Sequence, residues 1–278
     1  MPKKIKRRDH YIPQGYLRGF IDPGREKHPR PLWRFDVSKR TWSSCSPKEV
    51  GHRRGFYDYV GAGAVLETET ADSAFLRLEN EYPIARDEIV SSGFERWADH
   101  LELLLSFMQM MRARSILFRE QKQQLGKSLV AWEIEEVGED GKTIKPKSMT
   151  PSPVSSTFVR NRAISEMRAE IEKGAAWLKD FDWALRYCDS VTDPFIISEM
   201  PLIAEGPCSD IREAIQHQDT LLMFPLCWRA CLFGSRQFFH VKTDRLGPED
   251  MQKVRQRYIS TAKSFLVSPT KLPLTLSS

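Results

Sequence analysis

The sequence predicts an α+β fold, with a helical part, a mainly antiparallel sheet and an N-terminal hairpin. Apolar residues recur at the helical period from residue 65 to about residue 130, with few helix breakers. Short runs rich in β-branched and aromatic residues, separated by turn residues, follow after residue 181. Two similar runs lie near the N-terminus and are typical of paired strands. Together, these three observations indicate the α+β class.

The N-terminal region is predicted to be rich in strands. Residues 11–22 carry apolar side chains and end in Asp22-Pro23-Gly24, a stop and turn signal, so a short helix or turn is expected there. The runs 31–36 and 40–44 flank a polar turn and predict the hairpin. Residues 47–59 contain glycines around an aromatic cluster and predict a loop that closes on a third short strand.

The middle of the chain is predicted to be helical. A helix begins near Val65, and Pro83 is expected to kink or split it because proline lacks the amide hydrogen of the helical ladder. The clearest helix spans residues 94–124, where apolar residues form a wide stripe that is typical of a buried helix. We therefore expect this helix to lie in the core.

The second half is predicted to begin with an insertion and to end with the main sheet. Residues 137–156 contain a glycine-bounded turn and three prolines, so they are expected to form a mobile insertion. Ser155 or Ser156 then caps a helix that runs to about residue 178. The β-rich runs that follow are expected to form the main sheet, before a helix at 249–265 and a short strand.

The composition bounds the class of protein. With 278 residues, 41% apolar and 28% charged, the chain is expected to form one α+β domain over residues 10–278, after a basic arm at residues 1–9. No apolar stretch reaches the roughly 20 residues that span a bilayer, and the N-terminus lacks the apolar region of a signal peptide. We therefore expect a cytoplasmic protein with no membrane partner and with reduced cysteines. The sequence specifies no oligomeric state.

The charge pattern leaves a nucleic-acid partner open. The net charge is +5, and the first eight residues hold five positive side chains, Lys3, Lys4, Lys6, Arg7 and Arg8. Such an arm can hold a phosphate backbone or be a solvated terminus, and both readings remain possible. No Gly-rich phosphate loop, dinucleotide fingerprint or HExxH motif occurs, so we expect no cofactor and no metal site.

Several segments resemble one known family. Residues 10–20, His-Tyr-Ile-Pro-Gln-Gly-Tyr-Leu-Arg-Gly-Phe, are similar to the signature that begins the bacterial family catalogued as domain of unknown function 4238. Four later segments resemble the family's and follow its order, at residues 76–79, 107–112, 194–201 and 224–226. The family typically has Ser-Asp where this chain has Ser198-Glu199, so Glu199 stands in place of a shorter carboxylate. The resemblance implies a shared fold and supplies no activity.

His10 is the first candidate for a functional residue. It lies beside the basic arm and four residues before Gln14, so both side chains would share one side of a helical turn, although Pro13 interrupts that turn. A neutral imidazole near pH 7 is a natural acceptor for a hydroxyl proton, and a nearby amide could bind substrate. In the alternative interpretation, His10 hydrogen-bonds a backbone carbonyl and packs beside Tyr11.

Glu79, Gln109 and Arg112 form the second candidate group. Gln109 and Arg112 are three residues apart on a predicted buried helix, so they share a face. A buried guanidinium needs a carboxylate or phosphate partner, and Glu79 on the neighbouring helix is expected to be that partner. The group is either a structural network or, if His10 joins it, an acid, base and anion clamp.

Two functions follow from these residues. In the first, the chain is a metal-independent nuclease acting on RNA in a toxin or defence setting, with His10 as base, Arg112 holding the phosphate and Glu79 orienting or donating a proton. Substrate binding is then assigned to Gln14, Gln109 and Ser198. In the second, the chain is a non-catalytic binding module whose polar cluster recognises a ligand or supports the fold. An enzyme should place its catalytic residues at an open cleft, whereas a scaffold should seal them.

Overall fold

The fold is described from a computed structural model that covers residues 8–57, 68–127, 130–131, 134–137, 144–146, 152–153, 155–206, 211–214 and 216–274. Over these residues the chain has the α+β fold that the sequence predicts, with mostly antiparallel sheets. The same residues contain no helix that is both long and apolar enough to cross a membrane.

The strands fall into three groups along the chain. The first group is β1 (Arg8–His10), β2 (Leu32–Asp36), β3 (Thr41–Cys45) and β4 (His52–Arg54). The second group is β5 (Val130–Ala131), β6 (Ile134–Val137), β7 (Ile144–Pro146) and β8 (Ser152–Pro153). The third group is β9 (Asp182–Tyr187), β10 (Ile197–Ser198), β11 (Ile203–Glu205), β12 (Leu221–Cys227), β13 (Ala230–Ser235), β14 (Thr243–Arg245) and β15 (Phe265–Ser268).

Most of the helical structure lies between the first and third groups of strands. The α-helices are α1 (Gln14–Arg18), α2 (Thr68–Ser91), α3 (Leu101–Ala113), α4 (Ile116–Lys127), α5 (Ser156–Glu172), α6 (Ile211–Ala214) and α7 (Pro248–Thr261). Short 3-10 helices occur at Pro23–Arg25, Pro47–Glu49, Trp97–His100 and Ala176–Asp180.

The strands form two larger sheets. One has the order β11-β12-β13-β9-β14 and is antiparallel except where β14 runs parallel to β9. The other has the order β10-β15-β2-β3 and is antiparallel throughout. The prediction that the C-terminal runs form one main sheet is therefore wrong for β10, which pairs with β15. β15, which the sequence predicted only as a short strand, pairs in turn with β2, because this pairing fills the open edge of the hairpin and buries Leu266 beside Phe35.

The five-stranded sheet is buried on both faces. In β12, Phe224 belongs to the apolar cluster shared with the helices, whereas the adjacent Met223 belongs to a second cluster shared with α7. Because successive side chains point to opposite faces of a strand, the sheet lies between these two clusters. This arrangement explains why β12 is a continuous apolar run rather than an alternating one.

Two predictions about the helices are corrected. Residues 94–124 do not form one helix, because α3 ends at Ala113 and Ser115 starts a new turn by accepting a hydrogen bond from Phe118 N at 3.1 Å. Pro83 does not split α2, which runs without interruption from Thr68 to Ser91, and a kink at Pro83, the other outcome expected from the sequence, stays a prediction. Arg114 consequently caps α3 at a helix junction instead of lying in mid-helix.

Several local predictions are confirmed. β2 and β3 form the N-terminal hairpin, with Phe35 opposite Trp42. Ser155 caps α5 by accepting a hydrogen bond from Phe158 N at 3.2 Å. The third N-terminal strand is β4, which pairs with β1. The expected mobile insertion at 137–156 and the basic arm at 1–9 lie largely outside the described residues.

Candidate functional site

A cleft of about 1290 Å³ opens beside α1 and α2. Its walls also include the end of β1, the 3-10 turn at Pro47–Glu49 and the turn between β12 and β13. The volume exceeds the roughly 300–1,000 Å³ of typical small-molecule pockets. The polar and charged side chains that line the cleft include His10, Gln14, Arg18, Lys48, Glu79 and Arg114.

Two buried tyrosines fix the helices of the cleft to the main sheet. Tyr16 on α1 donates its hydroxyl to the carbonyl of Pro225 at 2.6 Å, and Tyr82 on α2 donates to the carbonyl of Leu226 at 2.6 Å. The Tyr82 ring also stacks on Phe107 of α3, with 3.8 Å between centroids. Burial raises the pKa of both hydroxyls well above 10, so they remain donors. α1 and α2 are thereby held at the end of β12.

Two glycines allow α1 to approach its neighbours closely. A Cβ on Gly15 would lie 2.9 Å from Cγ of Pro83, closer than real Cβ contacts. A Cβ on Gly19 would lie 3.1 Å from Cδ of Arg86, and the Gly19 carbonyl accepts a hydrogen bond from Trp228 N at 3.0 Å. The glycines of the opening segment therefore have a packing reason, which is independent of any chemistry.

Arg114 organises the inner wall of the cleft. Its guanidinium donates from Nε to the Tyr57 hydroxyl at 2.6 Å and from the other two nitrogens to the Glu79 carboxylate and the His10 carbonyl. Its side chain is only 5% exposed. Burial opposes the charge, but Tyr57 and Glu79 outweigh it and raise the pKa of Arg114. Every nitrogen of this cation therefore has an internal acceptor, and the backbone of His10 is fixed.

His10 lies on β1, where it pairs with His52 of β4, and the two rings meet edge to face at 5.5 Å. Burial, and then the His52 ring, lower the pKa of His10 below 6.5, while a hydrogen bond to the Lys48 backbone raises it. Nε2 of His10 is shielded from solvent and has no hydrogen-bond partner among the residues that the structure describes. The imidazole is consequently neutral near pH 7 and has one nitrogen without a partner.

The structure brings together three of the six residues assigned from the sequence. His10, Gln14 and Glu79 line the same cleft. Arg112 does not, and the prediction that it pairs with Glu79 is wrong, since Arg114 takes that carboxylate. Two residues along a helix turn the side chain by about 200°, so Arg112 and Arg114 point in nearly opposite directions.

Gln109 and Arg112 instead join α3 to α5. Arg112 lies 3.4 Å from the Glu170 carboxylate and 3.4 Å from the Gln109 side-chain oxygen. Gln109 donates to the Glu170 carbonyl at 2.8 Å and accepts a hydrogen bond from Trp177 Nε1 at 2.9 Å. Neither residue lines the cleft, so their contacts support the structural interpretation of this pair.

Ser198 also lies away from the cleft. Its side chain is fully buried, and its hydroxyl donates to the Met200 carbonyl at 3.0 Å. The neighbouring Glu199 accepts backbone hydrogen bonds from Lys263 at 2.6 Å, Ser264 at 3.0 Å and Phe265 at 3.3 Å. Glu199 thus holds the junction between α7 and β15, and its longer side chain serves the fold.

The sequence did not single out several charged residues of the cleft, among them Arg18, Lys48 and Arg114. Arg18 lies within the opening segment, but a single arginine among apolar residues gives no local signal. Lys48 lies in a loop whose position depends on the fold. Arg114 could have been found only from the end of α3, which the apolar stripe did not reveal.

Comparison with known proteins gives a family and no activity. A family model described as protein of unknown function (DUF4238) matches residues 8–271. No curated protein and no solved structure matches the chain. The family resemblance noted in the sequence is therefore confirmed, and the matched range contains every residue of the cleft.

Proposed function

Since the chain belongs to the DUF4238 family, whose function is unknown, its activity must be argued from its own cleft, and we propose that this cleft binds RNA and cleaves it without a metal ion. The observation that carries the proposal is the Nε2 atom of His10, a shielded nitrogen at the wall of the cleft that has no hydrogen-bond partner within the described ranges. Buried polar atoms are nearly always satisfied, so this nitrogen calls for a ligand or a water.

The electrostatics of His10 suit a proton acceptor. Its pKa lies below 6.5, mainly because of burial, so the ring is unprotonated at neutral pH. The hydrogen bond to the Lys48 backbone raises the pKa and is therefore donated by the ring, and Nε2 has no partner. The donor is then Nδ1, which leaves the Nε2 lone pair as the acceptor.

Two other cations are available for the phosphates. Arg18 and Lys48 are both exposed at the cleft wall, and neither forms an ion pair with any other described residue. A strand of RNA carries one negative charge per nucleotide, and lysine and arginine neutralise it. We assign phosphate binding to Arg18 and Lys48, in place of the role expected for Arg112.

The reaction uses the 2′-hydroxyl of RNA as the nucleophile. His10 Nε2 accepts the proton of the 2′-hydroxyl, and the 2′-oxygen attacks the adjacent phosphorus. The bond from phosphorus to the 5′-oxygen breaks, and the leaving oxygen takes a proton from water in the open cleft. The products are a 2′,3′-cyclic phosphate and a 5′-hydroxyl, and the protonated His10 returns its proton to solvent.

Glu79 and Arg114 act as positioning residues in this scheme. Arg114 binds the carbonyl of His10, and Glu79 holds Arg114. Neither side chain needs to touch the substrate, because their contacts fix the backbone that carries the base. The amide of Gln14 on the same wall is assigned to substrate binding.

The test is cleavage of a defined RNA by the full chain in the presence of a metal chelator. Wild type should produce 2′,3′-cyclic phosphate ends, and RNA methylated at the 2′-oxygens should stay intact. His10→Ala should lower the rate by about 10²–10⁴-fold, the usual effect of removing a general base. The wild-type rate should rise with pH as His10 loses its proton, and the midpoint of this rise should lie below pH 6.5.

The matched control is His240→Ala, which removes an exposed histidine outside the cleft and should leave the rate unchanged. Circular dichroism should show that both variants are folded. Equal cleavage by wild type and His10→Ala would exclude His10 as the base, and intact RNA with wild type would exclude the nuclease.

The binding-module interpretation is the second candidate, and one observation favours it. All three nitrogens of Arg114 are satisfied internally, as expected for a group that supports the fold of a binding cleft. In that case wild type binds RNA without cleaving it, and Arg18→Gln weakens binding whereas His10→Ala does not. Measuring binding and cleavage on the same RNA separates the two functions.

A further inference from the structure

A second pocket, separate from the cleft, is built largely from arginines. Arg53 and Arg54 from β4, Arg119 from α4 and Arg160 from α5 line a cavity of about 270 Å³, called here the arginine pocket. It shares no lining residue with the cleft. Charged residues of one sign are thereby brought together from three elements far apart in the chain.

Two of these arginines are held in place by one turn of backbone. Arg119 donates to the Phe56 carbonyl at 2.7 Å, and Arg160 donates to the Gly55 carbonyl at 2.9 Å. Gly55 has a φ of 60°, in the left-handed region that glycine adopts without strain. The Arg119 guanidinium also lies over the Phe56 ring, 4.6 Å from its centroid. The turn after β4 therefore positions both guanidiniums before any ligand binds.

The charges that act on the pocket are mostly positive among the described residues, and Asp9 is a smaller, opposite influence that raises the pKa of Arg119. Among the residues that the structure describes, none of the four arginines forms an ion pair. Glu120 is the acidic residue in the lining, and it is exposed at the rim. Nε of Arg160 is shielded from solvent without a hydrogen-bond partner in the described ranges.

The arginines also act on one another. Arg119 is only 8% exposed, and its pKa is lowered to about 10 by burial and then by Arg160 and Arg53. Buried guanidiniums are ordinarily paired with carboxylates, since an unpaired buried charge is costly. An arrangement that keeps several cations close together, with no ion pair among the described residues, favours the binding of an anion.

We propose that the arginine pocket is a binding site for a phosphoryl group. Guanidinium forks match phosphate oxygens in bidentate geometry. A phosphate monoester carries about −1.5 to −2 charges at neutral pH, which offsets more of the pocket's charge than the single charge of a carboxylate. The site does not depend on RNA cleavage in the cleft, because the two share no side chain.

The first experiment measures the binding of inorganic phosphate to the full chain by calorimetry at constant ionic strength. Arg160→Gln keeps much of the side chain but removes its charge, and it should weaken phosphate binding about tenfold or more. The matched control is Arg162→Gln, which removes one positive charge from the same helix outside the pocket and should leave binding unchanged.

Three results would contradict the proposal of a phosphoryl-binding site. Phosphate affinity that is the same in wild type and Arg160→Gln would place the anion elsewhere. Equal weakening by Arg162→Gln would reduce the effect to net charge. Acetate that competes as well as phosphate at the same ionic strength would show a carboxylate site instead.

A second arm identifies the source of the phosphoryl group, which is either a nucleic-acid backbone or a free phosphate compound. The probe is a short RNA methylated at every 2′-oxygen, so that it cannot be cleaved. Weaker RNA binding by Arg160→Gln but not by Arg162→Gln assigns the pocket to the backbone, and lost phosphate binding with unchanged RNA binding assigns it to a free compound. His10→Ala should change neither result, so failure of the nuclease proposal is recognised separately.

Discussion

The protein contains two groups of arginines that are built in opposite ways, and in the second of them only Arg119 is buried. Arg114 directs its three nitrogens at Tyr57, Glu79 and the His10 carbonyl, so its charge and its hydrogen bonds are satisfied within the chain. Arg119 and Arg160 hold backbone carbonyls in the arginine pocket and face other arginines, with no ion pair in the part of the chain that the structure describes. Burial of an arginine therefore does not by itself mark a binding site, since Arg114 is buried and fully satisfied within the chain.

A substitution should have different consequences for the stability of the fold in the two groups of arginines. Removing one member of a satisfied pair leaves the other uncompensated, so the fold should lose stability. Removing one member of a group of like charges relieves repulsion, so the fold should lose little while ligand binding suffers. Substitution of Arg114 should therefore lower the free energy of unfolding, whereas substitution in the arginine pocket should mainly weaken ligand binding.

The largest effect is expected for Arg114→Met. The substitution keeps most of the side-chain volume but leaves the Glu79 carboxylate, the Tyr57 hydroxyl and the His10 carbonyl without their donor. We expect the free energy of unfolding to fall by about 3 kcal/mol, at the low end for a broken buried pair because Glu79 faces the open cleft and can regain water. Urea denaturation measures the change.

Arg162→Met is the control for Arg114→Met, since its ion pair with Glu166 lies on an exposed helical surface. It should change the free energy of unfolding by about 0.5 kcal/mol or less. A similarly small change for Arg114→Met would show that the cation is not needed by the fold, and the comparison between the two groups would lose its basis.

A smaller loss is expected for Arg112→Met. Arg112 contacts Gln109 and Glu170, but both distances are 3.4 Å and Glu170 is partly exposed. We expect a loss of about 2 kcal/mol, in the range of a hydrogen-bonded charge. RNA cleavage per folded molecule should stay unchanged, and a selective loss of cleavage would restore the catalytic role predicted for Arg112 from the sequence.

The sequence predicted the fold class and one wall of the cleft for definite reasons. The α+β class followed from the change of apolar period along the chain, and the hairpin from two short runs around a polar turn. His10 and Gln14 were found together because they lie four residues apart in one segment. Glu79 was found because a buried guanidinium needs a carboxylate partner, although that guanidinium belongs to Arg114 rather than to Arg112.

The parts of the fold and of the candidate sites that were not predicted depend on contacts that no local sequence pattern encodes. Arg112 was chosen over Arg114 because the apolar stripe continues past the end of α3, and the break at Ser115 appears only when α4 packs on α5. β10 was assigned to the main sheet because a short apolar strand does not specify which edge it joins. The arginine pocket combines residues from β4, α4 and α5, so no spacing in the sequence could reveal it.

Arg160→Gln is expected to change the free energy of unfolding only slightly, and it tests most directly whether the arginine pocket differs from the network around Arg114. The variant gives up the hydrogen bond to the Gly55 carbonyl but also removes a charge that opposes Arg119. Without phosphate, the two changes should offset one another to within about 0.5 kcal/mol. With phosphate at about 100 times its dissociation constant, wild type should gain about 2.7 kcal/mol of unfolding free energy and the variant much less. If the variant instead loses as much stability without phosphate as Arg114→Met, the pocket is a second internal network, and the distinction between satisfied and unsatisfied arginines does not hold in this protein.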